Sequence, residues 1–322
     1  MATQPTADQS SSGDESVTST RQDPEDHQAE GGTAQYDDTT TARAPRPTVR
    51  LADQETQDAS GDDTATPSKE RGPVDLKVRD GVIQFTNVTF SHTRSNRPPT
   101  LRNISFRIEA GQNVVFVGNG GTGKTTLIKL LMGMHEGYTG TITVDGQDVS
   151  AVTQESRIQQ ISVAPQSVVL LDASILDNVR YGLNATREQC EAVCRAVCLH
   201  DRIMSLRRGY DEILGAEGVQ CTEADAQKLG IARVLLTDNK IVVFDEAMSV
   251  LDRQTECRIM RHVREWCAGR TVITIAHRLG TVTLADMIYV LWDGEIVEQG
   301  THGQLMAKNG TYCELWGHRG AI

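Results

Sequence analysis

Apolar and polar residues begin to alternate near Val82, after Pro67 and Pro73. The run Val82-Ile83-Gln84-Phe85-Thr86-Asn87-Val88-Thr89-Phe90 has the period of two that predicts a half-buried strand. A polar loop, His92 to Pro99, leads into a second strand region, Leu101 to Ile108. Val114-Val115-Phe116-Val117 breaks the alternation, and a short continuous apolar run predicts a strand buried on both faces. It ends in a glycine-rich loop and then a helix from about Lys124 to Met132. Further strands are predicted at Gly140–Val144, Ile161–Ala164, Lys240–Asp245, Thr271–Ala276 and Met287–Leu291, and helices around Thr186–Cys198, Glu223–Leu236 and Gln254–Cys267. Strands separated by helices argue for an α/β fold, with a mostly parallel sheet covered on both faces after a β-rich entry. Residues from about Ser167 to Val219 carry helical patterns and no strand, which predicts a helical insert; the helical subdomain is expected over about 167–228.

Charge separates the chain in two. Of 43 Asp and Glu residues, 15 fall in residues 1–70 against 5 Lys and Arg, so nearly all of the net charge of −11 sits there. A segment rich in Ser, Thr, Gln, Asp and Gly with Tyr36 as its only aromatic cannot bury enough apolar surface to offset the entropy of ordering it. Residues 1–73 are therefore expected to be a disordered acidic leader, with the folded domain over 74–322. The leader lacks the Arg-rich, acid-poor composition of a mitochondrial presequence and the apolar core of a signal peptide. The longest apolar runs, such as Ile241 to Phe244, span a few residues, whereas a membrane-crossing helix needs ~20. Seven cysteines without paired spacing suggest reduced thiols. Cys190, Cys194 and Cys198 recur at i, i+4, i+8; that spacing suits either a soft-metal site or small apolar residues presented to a core.

Gly118-Asn119-Gly120-Gly121-Thr122-Gly123-Lys124-Thr125 fills every fixed position of the phosphate-binding loop, and Thr126 follows it. Glycines let backbone N–H groups turn toward phosphates, the helix N-terminus adds partial positive charge, Lys124 reaches the outer phosphates and Thr125 ligates Mg²⁺. Ile241-Val242-Val243-Phe244-Asp245-Glu246 is an apolar strand delivering two carboxylates. On its own, such a pair would be a solvated strand end. About 120 residues beyond a phosphate loop it supplies Asp245 for the Mg²⁺ shell and Glu246 to polarise the attacking water.

With these motifs the chain resembles the cassettes of ATP-binding cassette exporters, over about residues 80–318. The resemblance implies a P-loop NTPase core with an antiparallel β subdomain and a helical insert, binding ATP and Mg²⁺. Gln166, after Val163-Ala164-Pro165, matches the glutamine that senses the γ-phosphate and Mg²⁺. Ser249-Val250-Leu251-Asp252 resembles the aspartate loop at the dimer seam, and Thr274-Ile275-Ala276-His277-Arg278-Leu279 matches the switch histidine, His277. Gly294 to His302 fits the tail of the domain. Asp177-Asn178-Val179-Arg180-Tyr181-Gly182, His200-Asp201-Arg202-Ile203 and Gly209-Tyr210-Asp211 are similar to the half-size exporters of the mitochondrial and heavy-metal-tolerance branch. In that branch six membrane helices precede the cassette on one chain, so the resemblance implies a membrane-spanning partner domain or subunit and a peripheral place on the cytosolic face of a membrane.

Two segments depart from the family pattern. Where the signature Leu-Ser-Gly-Gly-Gln belongs stands Cys221-Thr222-Glu223-Ala224-Asp225, ahead of Ala226-Gln227-Lys228-Leu229-Gly230-Ile231-Ala232-Arg233. Glu223 and Asp225 are expected to place negative charge where a partner's triphosphate docks, and Ala224 adds a Cβ where close approach is needed. The aromatic that stacks on adenine is replaced by His92, which is either a smaller stacking ring or only a loop residue. Each composite site joins one chain's phosphate loop to the other's signature, so Thr222, Glu223, Ala224, Asp225 and Asp252 are expected at a dimer interface. A heterodimer that retains one sound site is favoured. The function implied is ATP hydrolysis powering export, weak or dependent on a partner chain; the alternative is a regulatory or vestigial nucleotide-binding cassette. Neither paired cassettes nor a long coiled coil is present, and no nucleic-acid partner is expected.

Overall fold

The computed structural model describes residues 74–92, 98–215, 218–276 and 282–319; the expected leader, 1–73, and His277 lie outside them. The elements in chain order are β1 (Ile83–Phe90), β2 (Leu101–Ile108), β3 (Asn113–Val117), α1 (Lys124–Leu131), β4 (Thr139–Val144), β5 (Gln147–Asp148), α2 (Gln154–Gln160) and β6 (Ile161–Ala164). Then come α3 (Ile175–Arg180), α4 (Arg187–Ala196), α5 (His200–Met204), α6 (Glu223–Leu236), β7 (Ile241–Asp245), α7 (Arg253–Trp266) and β8 (Thr271–Ile275). The chain closes with β9 (Met287–Trp292), β10 (Glu295–Gly300), α8 (His302–Lys308) and α9 (Thr311–Arg319).

Two sheets form. One is antiparallel, in the order β2-β1-β4-β5; the other has the order β10-β9-β3-β8-β7-β6 and is parallel except for β10 at its edge. The central strands of the larger sheet are apolar throughout because both faces are covered. Val114 and Phe116 of β3 face the core shared with the smaller sheet, while Val115 and Val117 face Leu305 and Tyr312 of α8 and α9. β7 divides the same way: Ile241 and Val243 join the first core, and Val242 and Phe244 join one built with α4, α6 and α7. Phe106, Phe116 and Tyr289 meet at ring-centroid distances of 5.2 to 5.3 Å and bind the two sheets into one core.

Because β6, β3, β7 and β8 are parallel, their carboxyl ends deliver Gln166, Gly118, Asp245 and Ala276 to one edge of the sheet, the edge where open α/β sheets bind ligands. Several elements carry no readable pattern. α2 holds one large apolar residue, Ile158, and that residue is exposed; β10 is largely exposed; α8 buries only Leu305, and α9 buries Tyr312 and Leu315. α4 ends at Ala196, two residues short of the expected Cys198, which takes a left-handed φ of 55°. Cys198 therefore leaves the face shared by Cys190 and Cys194. Those two are fully buried among Val193, Ala196 and Tyr210, and burial pushes the Cys194 thiol up to about 12. Cys190 and Cys194 are thus packed in that core, and Cys198 is partly buried against it.

Candidate nucleotide site

The loop after β3 is shaped by its glycines. Gly118 has φ 152°, and a Cβ there would collide with the Leu291 carbonyl of β9. Gly123 caps α1 with φ 99° and offers no side-chain oxygen to the first turn of α1. Around Gly120 and Gly121 no atom would meet an added Cβ within 4 Å, so the loop is uncrowded at these two positions. Lys124 is only 4% exposed, and its Nζ donates to the carbonyls of Asn119 at 2.8 Å and Gly118 at 3.1 Å. The ammonium is thus held against the inside of the loop by carbonyl dipoles. A glycine-rich loop, a helix amino terminus and a fixed cation together suit a polyphosphate.

Thr125 Oγ1 donates to Asp245 Oδ1 at 3.0 Å, joining the two halves of the site. Asp245 is 9% exposed; burial raises its pKa and the neighbouring Glu246 charge adds to the rise, opposed by Thr125, Lys129 and Lys124. A hydroxyl and a buried carboxylate beside a phosphate cradle are hard oxygen donors of the kind Mg²⁺ takes, and they fit that ion. Glu246 follows with φ 53°, a left-handed conformation that costs about 1 kcal/mol outside glycine. Its N–H donates to the Ile275 carbonyl of β8 at 3.3 Å, which fixes the residue where β7 ends. Backbone strain of this kind concentrates at functional sites.

The other expected residues are placed unevenly. His92 Nε2 lies 3.3 Å from Thr126 Oγ1, and the ring sits edge-on to Phe90 and His135 at 4.9 Å, so it borders α1 rather than standing free in its loop. Gln166 is exposed just beyond β6, and its carbonyl accepts from Gln227 Nε2 at 3.4 Å. Asp252 caps α7 by accepting from Thr255 N–H at 2.9 Å, and hydrogen bonding from the Thr255 hydroxyl and then from this N–H lowers its pKa. The described residues stop at Ala276, one short of His277.

Residues 101–249 match the family described as ABC transporter. The chain carries an ABC transporter cassette. It is 43% identical over 242 residues to the ATP-binding cassette sub-family B member 6 of Xenopus tropicalis, covering 75% of this chain and 28% of that one. It is 39% identical over 247 residues to the mitochondrial iron-sulfur clusters transporter atm1 of Neurospora crassa, covering 74% and 34%. With heavy metal tolerance factor 1 of Caenorhabditis elegans the identity is 40% over 237 residues, covering 73% and 29%. The chain therefore spans about a third or less of these relatives' lengths. A bacterial Atm1-family ABC exporter solved with ATP bound superposes with a TM-score of 0.72 at 36% identity, covering 76% of this chain and 43% of that one. The cassette is thus of the exporter type and of the mitochondrial and heavy-metal-tolerance branch. Among the described residues no helix is long and apolar enough to cross a membrane.

In this cassette the altered signature differs from expectation in one respect. Asp225 does not face outward. It is 7% exposed, accepts from Arg202 Nε at 2.6 Å and from the Thr222 hydroxyl at 2.7 Å, and its own N–H donates back to Thr222 Oγ1 at 3.1 Å. Of the two acids only Glu223 lies on the surface at the amino end of α6. The sequence held the clue: Asp225 shares the i, i+4, i+7, i+11 stripe of Leu229, Ala232 and Leu236, all buried. Ala224 is partly buried against the core packed around α6, and Thr222 spends its hydroxyl as the helix cap. Sequence reasoning also passed over Arg202, as the partner of Asp225, and Gln227, which is 2% exposed and bonded to two loops.

Proposed function

We propose that this chain is the ATP-binding and ATP-hydrolysing cassette that powers an exporter, working on the cytosolic face of a membrane against a membrane-spanning domain or subunit. The observation that carries it is the junction of Lys124, held inside the phosphate loop, with the Thr125–Asp245 pair. The open faces of Gly120 and Gly121 and the amides of Gly118 to Gly123 cradle the β- and γ-phosphates of ATP, and Lys124 neutralises them. Thr125, Asp245 and Gln166 would hold Mg²⁺, which would supply charge neutralisation to the phosphates. Glu246, fixed by its bond to Ile275, takes the proton of the attacking water, and His277 and Thr126 hydrogen-bond the phosphates. His92 flanks the adenine.

The face formed by Thr222, Glu223 and Ala224, with Asp252, is assigned to a second cassette, and Asp225 supports it from behind through Thr222. Glu223 at the amino end of α6 repels a triphosphate presented there, and Thr222 has already committed its hydroxyl. These two facts favour a heterodimer in which the partner lends a sound signature to this chain's Lys124, Asp245 and Glu246. They also support the second reading, a cassette that binds ATP and turns it over little. Steady-state ATPase of the chain, alone, mixed with Glu246→Gln, and with candidate partner cassettes, separates the two. Turnover in any mixture that is lost when Glu246→Gln replaces this chain supports hydrolysis; ATP binding with background turnover in every mixture leaves the regulatory reading.

A further inference from the structure

Gln227 lies in the second turn of α6, one turn beyond the signature positions, and is almost fully buried. Its carboxamide reaches both loops that flank the acid pair. Nε2 donates to the Gln166 carbonyl at 3.4 Å, on the loop after β6, and to Ser249 Oγ at 3.1 Å, on the loop after β7. Oε1 accepts from Val250 N–H at 3.3 Å. Ser249 N–H in turn donates to the Glu246 carbonyl at 3.1 Å, so the chain of contacts runs unbroken from α6 to the residue that follows β7. Gln227 carries the only side-chain amide in α6, and it is buried in the same helix as Leu229, Ile231 and Ala232. A buried carboxamide is tolerated only with its bonds made, and here they join segments about 60 and 20 residues away.

We propose that Gln227 is a positioning residue that couples the signature helix to the nucleotide site of the same chain. A carboxamide both donates and accepts, so it holds the Gln166 loop and the Ser249–Val250 loop at a fixed spacing from α6. Movement of either loop toward Mg²⁺ and phosphate is then transmitted to the amino end of α6, the face assigned to the second cassette, and contact at that face is transmitted back. Among the described residues no comparable bond links α6 to these loops through Thr222, Glu223 or Ala224: the Thr222 hydroxyl is spent on Asp225, and Asp225 points to Arg202. The inference rests on the reading of 118–126 as the nucleotide site.

The test is amide hydrogen exchange by mass spectrometry on the full chain, with and without saturating Mg²⁺ and a non-hydrolysable ATP analogue. In the wild type the analogue protects 118–126 and, beyond it, 166–167, 222–229 and 249–251. Gln227→Leu keeps protection at 118–126 and loses it at the other three, with the segment containing Val250 exchanging roughly fivefold faster, the factor a single neutral hydrogen bond is worth. Gln227→Glu separates coupling from packing: its carboxylate still accepts from Val250 N–H but cannot donate to the Gln166 carbonyl, so 249–251 stays protected while 166–167 is released. Should Gln227→Leu fail to fold, Gln227→Glu alone decides. Protection that spreads unchanged in both variants, or equal loosening of both loops in Gln227→Glu, overturns the coupling. Absence of protection at 118–126 in the wild type overturns the nucleotide reading itself and the inference with it.

Discussion

Replacing Asp225 with alanine removes the group that ties the amino end of α6 to α5. The carboxylate accepts two short bonds, from Arg202 Nε at 2.6 Å and from Thr222 Oγ1 at 2.7 Å, and is 7% exposed. A hydrogen bond to a charged group contributes about 1.5–3 kcal/mol when both partners are buried. The Arg202 side chain is 53% exposed, so its guanidinium regains water when the acid is lost and that contribution must be discounted. Thr222 keeps its place as cap only through the bond from the backbone N–H of residue 225, which the substitution leaves. The net cost is then about 1–2 kcal/mol, a fall in Tm of roughly 2–8 °C for a domain of this size. Glu223→Ala, one turn position away but exposed, moves Tm by about 1 °C or less. Thermal unfolding of Asp225→Ala, Arg202→Ala and the double variant measures the coupling, expected near 1 kcal/mol. Equal Tm for Asp225→Ala and Glu223→Ala, or additive losses in the cycle, would refute the inward-turned carboxylate.

Two further outcomes follow from the same geometry. Asp245→Asn raises the Tm of the nucleotide-free protein and abolishes Mg²⁺-dependent stabilisation by ATP, because burial has raised the acid's folded-state pKa. The sign is fixed by linkage: the folded chain binds this proton more tightly than the unfolded one, so ligand-free stability declines as pH climbs from the ordinary Asp value near 3.9 to the raised one, and the Asn variant lacks that decline. Tm measured from pH 4 upward in both proteins checks it. Glu223→Gly raises the turnover of a homodimer several-fold, whereas Asp225→Gln does not, since only the first removes surface charge; equal gains from both substitutions in a steady-state assay would contradict this.

Much of the architecture was legible because it is written in burial on two faces. The runs Val114–Val117 and Ile241–Phe244 are uninterrupted since each alternate side chain meets a different core, and the helix expected over Glu223–Leu236 is α6, with Thr222 as its cap. What stayed hidden has a physical cause. α2 and β10 are held by backbone pairing and caps at the surface, where polar residues carry no period. The phosphate loop was legible down to single residues because φ and close approach there demand particular side chains. The direction of Asp225 was not, since charge alone argues for solvent and only its register with Leu229 and Ala232 argues for the core. Gln227 escaped because a glutamine has no preferred environment; its role rests on Gln166 and Ser249, far from it in sequence.

Titration of the full chain with a fluorescent ATP analogue in Mg²⁺, beside Lys124→Ala, tests the central claim most directly. Saturable binding below about 1 mM, weakened tenfold or more by the substitution, is the predicted result for an ammonium held against the phosphate cradle. No affinity at millimolar nucleotide, or affinity that Lys124→Ala leaves unchanged, would contradict it.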